Sequence, residues 1–576
     1  MSHDLSTAEQ FTDDERARLA PHFTNLDSRV FALTNLPETV KGALFARYSR
    51  SAKSLRRLFL DEFADKVAPG AQPVSPERGR HQAREGGGAG LGADLSAGAR
   101  SAKVEARSAK AAGPNVGAER AEKLFARVFN EYGDDSVAQL GGAHIACEYV
   151  SNVLTKILEW GRLMAYLEQS TRYVPYTDKL HGGWRYHVPA EIGGGALRAQ
   201  YVRTMDAAFE AYAKWIPAMQ AHFEARYPKE ASDSDAVHRA AVRAKALDTL
   251  RGMLPAATQS NLGIYGTGQA FEALLLRMRA NPLAEVQQCA AEMLTELRKV
   301  IPAFLVRVDQ ADRGGRWSEY FAEARAATAR AAATLLDTTP EARDEVTLTD
   351  FDPDGEVKIV AAALYAVSDL PDDQLLVIAR RMTPDQRTAI LRAYIGTRSN
   401  RRHRPGRAFE RTTYRFDVLT DYGAFRDLQR HRLLTLEWQP LTTRHGYTEP
   451  DAIREAGGGD DWDRVMDASA ELHEAIQGAG LREVAPYAVA MAYRVRFYME
   501  MNAREAMHLI ELRTAPQGHP AYRRVCQQMH SLIAEQTGHH AVAAAMQFVD
   551  HSQVELERLN AERALERKKG SRVNGE

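Results

Sequence analysis

Gln429-Arg430-His431-Arg432-Leu433-Leu434-Thr435, continued by Thr442-Thr443-Arg444, is the stretch on which the reading of this chain turns. Two arginines flank one histidine, just after a segment in which Tyr414, Phe416 and Val418 alternate with polar residues, as in a half-buried strand. A guanidinium fork holds a phosphate or a polarised carbonyl through paired hydrogen bonds. The histidine adds a group whose charge changes near neutral pH. A solvated cationic helix turn has the same composition, and spacing alone does not separate the two readings.

Outward from that stretch, the chain has 576 residues, 44% of them hydrophobic and 26% charged, which is the make-up of a globular protein of several domains or two larger ones. The formal net charge is −1, so no global field draws it to nucleic acid or to an anionic membrane, and any anion site has to be local. Its three cysteines, Cys147, Cys289 and Cys526, lie far apart and form no Cys-x-x-Cys pair. That argues against a disulfide framework or a zinc site and fits a reducing cytosol. Residues 1–23 are polar and acidic, without the apolar core of a signal peptide. The longest apolar stretch, 357–367, is interrupted by Lys358 and is too short to span a bilayer. The expectation is a cytoplasmic protein with no membrane or nucleic-acid partner and no metal.

Taken in order, residues 1–67 read as helical and as part of a first half. Residues 68–117 are rich in Gly, Ala, Ser and Arg and lack large apolar residues to bury, so they read as a disordered insertion. A basic nucleic-acid arm is the other reading, but acidic residues dilute its charge and aromatics are absent. Order resumes near 118: 121–132 is amphipathic, 136–149 holds small and apolar residues, and 150–166 and 197–308 read as helical, with breaks at Pro228 and Pro255. Residues 311–344 form a linker with an Ala-rich helix at 318–336. Residues 357–364 read as a buried strand, 372–381 and 384–395 as helices, 411–419 as a strand, and the rest to about 567 as helix, with a polar tail over 561–576.

A search for internal repeats gives two related halves, 118–310 and 345–560. Residues 162–173 align on 432–444 with a two-residue insertion in the second copy. Arg251-x-x-x-Pro255 matches Arg482-x-x-x-Pro486, and each copy then reaches a helix ending in arginine. Arg430-His431-Arg432 with a downstream Ser-x-Arg, and the helix carrying Asn502-x-Arg504 and Arg513, resemble the signature of the flavin-dependent thymidylate synthases. The resemblance implies an α+β fold in which each half is a small sheet packed with long helices. It also implies FAD as cofactor, NADPH and methylenetetrahydrofolate as co-substrates, and reductive methylation of dUMP to dTMP. Family members are homotetramers with sites between subunits, so a homodimer of this chain would form a pseudo-tetramer.

Residue by residue, the resemblance implies that Arg430, His431 and Arg432 hold the flavin and face the uracil, with Arg513 beside them. Asn502 and Arg504 would contact the flavin, joined by His508, which stands where the family has Asn. Glu168, Ser170, Arg172, Arg251, Arg444, Arg482 and Arg513 would contact the nucleotide. The departures are specific. Trp160-Gly161-Arg162 replaces Arg-His-Arg in the first half. Thr435, Trp438 and Pro440 replace Ser, Glu and Ser in the second, and Thr442-Thr443-Arg444 is a displaced Ser-x-Arg. The Asn-x-Arg places of the first half fall on Gly268 and Ala270 if Arg279 matches Arg513, or on Gly266 and Gly268 if Arg277 does. The losses are largely complementary, which points to composite sites. A flavin- or nucleotide-binding homologue without methylation activity, and a C5 methylase of another pyrimidine nucleotide, are the alternatives.

Overall fold

The computed structural model describes residues 9–66 and 138–573, except 181, 337, 339, 555 and 557. The reading of 68–117 as an insertion, and that of 121–132 as an amphipathic helix, lie outside the described residues. The chain is α+β, with two four-stranded antiparallel sheets of the same topology. The first contains β1 (Val30–Leu33), β2 (Gly142–Ser151), β3 (Met164–Glu168) and β4 (Gln259–Thr267), ordered β1-β2-β4-β3. The second contains β5 (Val346–Phe351), β6 (Thr413–Asp421), β7 (Thr435–Trp438) and β8 (Arg494–Asn502), ordered β5-β6-β8-β7.

β6 announces itself in the sequence because only one face of its sheet is fully buried, and β8 beside it alternates in the same way. Val495, Phe497, Met499 and Met501 point inward, while Arg415 pairs with Glu500 at 2.9 Å and Arg496 with Asp417 at 2.6 Å on the other face. β2 and β4 are buried on both faces, so their alternation vanishes and only small and apolar residues remain. Gly263 marks this second covering, since a Cβ there would meet the Phe45 ring at 2.8 Å.

Several sequence expectations are corrected accordingly. The segment 1–67 is not all helix, since β1 lies within it and pairs with β2. The span 150–166 is a helix, Asn152–Leu158, followed by β3. The span 197–308 contains β4 between helices, and the stretch beyond 419 contains β7 and β8. The apolar run at 357–364 lies in the helix Gly355–Tyr365 rather than in a strand. Its alanines favour helix, and an apolar run of that length carries no period to oppose them. The helices Asp372–Arg381, Pro384–Ile395 and Arg316–Leu335 match their expected places closely.

The halves meet across a pseudo-two-fold, equivalent segments facing each other. Ala256 N–H donates to the Val489 carbonyl at 2.8 Å, and Met491 N–H to the Leu254 carbonyl at 2.9 Å. Pro255 bridges Ala490 between them. One hydrophobic core runs through both halves, from Val30 to Met546. All three cysteines are buried in it. Among the described residues no helix is long and apolar enough to cross a membrane.

Candidate functional site

Asp421 ends β6 and caps the short helix Tyr422–Leu428 by accepting from Ala424 N–H at 2.8 Å. That helix delivers Arg426, Asp427, Arg430 and His431 to the seam between the halves. Arg426 crosses the seam and donates to Glu168 at 2.8 Å, and Lys156 lies 3.5 Å from the same carboxylate. Burial works against the charge on Glu168, but Arg426 and Lys156 outweigh it and hold the carboxyl at about 2. Glu168 is therefore already engaged within the seam.

Next to this pair four arginines converge on two aspartates. Arg172 and Arg251 come from the first half and approach Asp248 at 2.8 and 3.3 Å. Arg430 and Arg513 come from the second half and bind Asp427, Arg430 through its side chain and Arg513 through the backbone carbonyl at 2.5 Å. Arg251 also lies 3.8 Å from Asp427, which joins the two sets. Gly423 permits this approach, since a Cβ there would sit 3.0 Å from Arg251 Nε. Burial opposes the charge of Asp427, but Arg430, Arg513, Arg251 and Arg172 together hold its carboxyl far below the carboxylate range. His519, 3.6 Å from Asp248, is pushed down to about 3 by burial and by Arg251, so it adds no charge at neutral pH. The cluster keeps a surplus of cations. Arg251 Nη2 and Arg430 Nε are buried without a hydrogen-bond partner. A buried cationic surplus with orphaned donors suits a phosphate.

A second group adjoins it. Arg513 Nε donates to His431 Nε2 at 2.9 Å, so the imidazole proton sits on Nδ1, facing Glu505 Oε1 at 3.5 Å. Burial, and then Arg513, hold His431 well below its usual range. The His508 ring lies 5.6 Å from that of His431, and burial with Arg404 and Arg401 pushes it down to about 4. His431, Glu505 and His508 are close enough to converge on a metal ion. The Arg513 bond, however, commits the Nδ1 lone pair of His431 to a proton, so the set presents hydrogen-bonding groups instead. Asn502 caps the helix Ala503–Arg513, its oxygen accepting from Glu505 N–H at 2.9 Å, which leaves the amide N–H groups for a ligand. Arg504 donates to the Pro405 carbonyl at 2.9 Å and lies 3.5 Å from Glu410.

Burial raises Glu505 to about 7. The folded carboxyl therefore keeps its proton to higher pH than the unfolded one, and stability falls as pH rises from about 4.5 to about 7. Glu505→Gln is expected to remove that fall, leaving the variant more stable than the parent at pH 8 by up to about 3 kcal/mol. Thermal midpoints measured across pH check this, and parallel curves for the two proteins would refute it.

Other residues named from the sequence fall elsewhere. Arg444 and Arg482 are exposed, and among the described residues no side-chain hydrogen bond or ion pair joins either to the arginine cluster. Arg432 is exposed and lines a cavity behind His431. Ser170 is half-buried, and its hydroxyl accepts from Arg172 N–H at 3.3 Å. Strand register settles the repeat alignment. Gln259 corresponds to Arg494 and Thr267 to Asn502, through equivalent pairings with β2 and β6. Continuing along the helices, Gln269 stands for Arg504, Ala273 for His508 and Met278 for Arg513, so neither Arg277 nor Arg279 matches Arg513. Arg251 corresponds to Pro486, and the Arg-x-x-x-Pro match to Arg482 does not hold in space. Asp427, Asp248, Arg426 and Glu505 are site residues that the sequence reading missed. Each stands beside a motif residue, but an acid within an anion site gives no motif of its own.

The family described as "Thymidylate synthase complementing protein" matches residues 93–303 and again 347–537. A "UPF0159 protein" of Chlamydia muridarum (strain MoPn / Nigg) is 36% identical over 561 residues, 97% of this chain and 99% of its own length. A "UPF0159 protein" of Thermoplasma acidophilum is 31% identical over 77% of this chain and 92% of its own. A "Flavin-dependent thymidylate synthase" of Clostridium tetani is 28% identical over 35% of this chain and 79% of its own. Among solved structures, a UMP/dUMP methylase PolB from Streptomyces cacaoi bound with 5-Br dUMP aligns with 36% of this chain and 97% of its own, at 20% identity and a TM-score of 0.27. With one match on each sheet-bearing half, and the two together spanning most of the sequence, this chain belongs to the thymidylate synthase complementing protein family as a tandem duplication.

Proposed function

We propose that the protein is an FAD-dependent thymidylate synthase, carrying out reductive methylation of dUMP to dTMP with methylenetetrahydrofolate and NADPH. The observation that carries this is the convergence of Arg172 and Arg251 from one half with Arg430 and Arg513 from the other on Asp248 and Asp427. Its surplus positive charge and orphaned donors fit the phosphate of a nucleotide. Family membership and the name of the Clostridium tetani relative support the flavin chemistry.

The residues present fit a flavin. The Asn502 amide N–H groups, His431 and His508 form a neutral, partly buried set suited to the polar edge of a ring, and Arg513 joins that set to the phosphate cluster by donating to His431 and to the Asp427 carbonyl. Bound reduced flavin would supply the hydride that completes the methyl group. The arginines would fix the nucleotide's phosphate and so its orientation. His431, held neutral with its proton on Nδ1, would offer a donor without adding charge. A homodimer forming a pseudo-tetramer in the cytosol completes the reading.

Flavin absorbance in the purified protein, together with rescue of a thymidine-requiring strain, tests it. Absence of both would overturn it. Arg251→Ala should weaken dUMP binding by roughly 30-fold or more, as expected for loss of a charge-assisted bond. Arg482→Ala and Arg444→Ala should leave binding within about twofold, since both residues are exposed and away from the cluster. Equal effects from all three would refute the cluster as the phosphate site.

One observation favours a second reading, in which a pyrimidine nucleotide is bound but not methylated: Trp438 and Pro440 occupy the places of Glu168 and Ser170 in the second half. Tight dUMP binding with flavin present but no rescue would select it.

A further inference from the structure

The second half places His431, Glu505 and His508 together. Strand register puts Gly161, Ala270 and Ala273 at the same three places in the first half. The space opened by these small residues is a cavity of 570 Å³. Gly161 lines it and is held by Tyr166. The Tyr166 hydroxyl donates to its carbonyl at 2.9 Å, and a Cβ there would meet the same oxygen at 2.7 Å. Trp160 stands where the second half has Arg430, and Trp317 enters from the linker helix Arg316–Leu335. Both indoles are partly exposed, at 38% and 49%.

The polar groups on this cavity divide by type. Arg162, Arg277 and Arg432 supply positive charge. The Arg277 guanidinium lies 5.5 Å from the centre of the Trp160 ring and, among the described residues, has no carboxylate within ion-pairing distance. Glu159 is fully buried: one oxygen binds Lys156 at 2.5 Å, and the other, Oε1, has no hydrogen-bond partner. Gln269 Oε1 is likewise buried and unpartnered. Of the other acids on the walls, Glu272 is paired with Arg307 at 2.7 Å, and burial raises the carboxyl of Glu437. Two indoles, two orphaned acceptors and three cations thus share one chamber.

We propose that this cavity is a second ligand site, for a flat heteroaromatic molecule with N–H donors on its ring and an anionic tail. Its ring stacks on tryptophan and donates to Glu159 and Gln269, and its tail meets Arg277 and its neighbours. The volume suits a ligand of that size. A flavin is not the expected occupant, because Thr267, Gln269 and Ala273 replace Asn502, Arg504 and His508 there. The assignment depends on this chamber's own lining and not on the reaction proposed above.

Folic acid carries both features and serves as the probe, titrated calorimetrically into the full chain with FAD and dUMP present in excess. A saturable binding component is expected that Ala273→Phe abolishes and Asn502→Ala keeps. Arg277→Ala should weaken it roughly tenfold. Ala273 is exposed on its helix, so filling the cavity from that position leaves the fold intact, which an unchanged melting temperature would verify. No saturable binding to the parent protein, or an identical isotherm in Ala273→Phe, overturns the proposal. So does a change of oligomeric state in Ala273→Phe with the isotherm unchanged, which would assign the chamber to side chains of a second copy entering past the exposed Leu163 and Leu433.

Discussion

Asp427→Asn is expected to lower the unfolding midpoint of the ligand-free protein by several degrees and to make that midpoint much more responsive to dUMP. Asp427 is the acid on which Arg430, Arg513 and Arg251 close, with Arg172 contributing from further off. Replacing it with a neutral residue of the same shape leaves those cations facing one another around Asp248 alone. Breaking a buried pair in this way costs about 3–5 kcal/mol, because the remaining charge stays desolvated. A nucleotide phosphate entering the cluster would restore the lost negative charge, so the variant should gain more from saturating dUMP than the parent does. Melting curves with and without dUMP measure both effects. A variant as stable as the parent, or one that gains less from dUMP, would remove Asp427 from its assigned place.

The second large effect is expected at the seam pair. Glu168→Gln leaves Arg426 buried without its carboxylate, and the loss should again be about 3–5 kcal/mol. Replacing both partners together, Glu168→Leu with Arg426→Met, should restore most of it, since an apolar pair of similar volume avoids the desolvation of both charges. The pH dependence has a defined sign. The folded carboxyl titrates at about 2 and the unfolded one near 4.5, so the pair's contribution is complete above about pH 5 and is lost as pH falls towards 2. Its size from that shift is about 3 kcal/mol, in line with the cost of breaking the pair. Thermal midpoints of the parent and of Glu168→Gln, measured across pH, should converge at low pH. A constant gap down to pH 2 would argue against the assignment.

How much of this was legible in the sequence depended on what each residue faces. Tyr414, Phe416 and Val418 gave β6 because the residues between them remain polar. β4 was read into a helical span and β2 was given no element, because Gly263, Ala143 and Ala146 are small and apolar on strands enclosed from both sides, which removes the period of two. With β4 missed, the repeat had no anchor between Arg251 and the helix Gly268–Arg279, and the Arg-x-x-x-Pro spacing drew Arg482 into a false match. Arg430 and His431 were legible because they are contiguous and cationic. Their partner Asp427 was not, because an acid one turn before an arginine reads as an ordinary helix pair. The complementary losses of the two halves were visible in Trp160 and Trp438. That Arg172 and Arg430 face a common set of acids needed the fold.

The bridge between Pro255 and Ala490 also sets how the site responds to dilution. Arg172 and Arg251 are tethered to Asp427 and Arg513 by one polypeptide, so their meeting is an intramolecular event with a fixed effective concentration. A phosphate cluster assembled between separate subunits would come apart as the protein is diluted, whereas this one should hold its nucleotide with the same affinity at nanomolar chain as at micromolar.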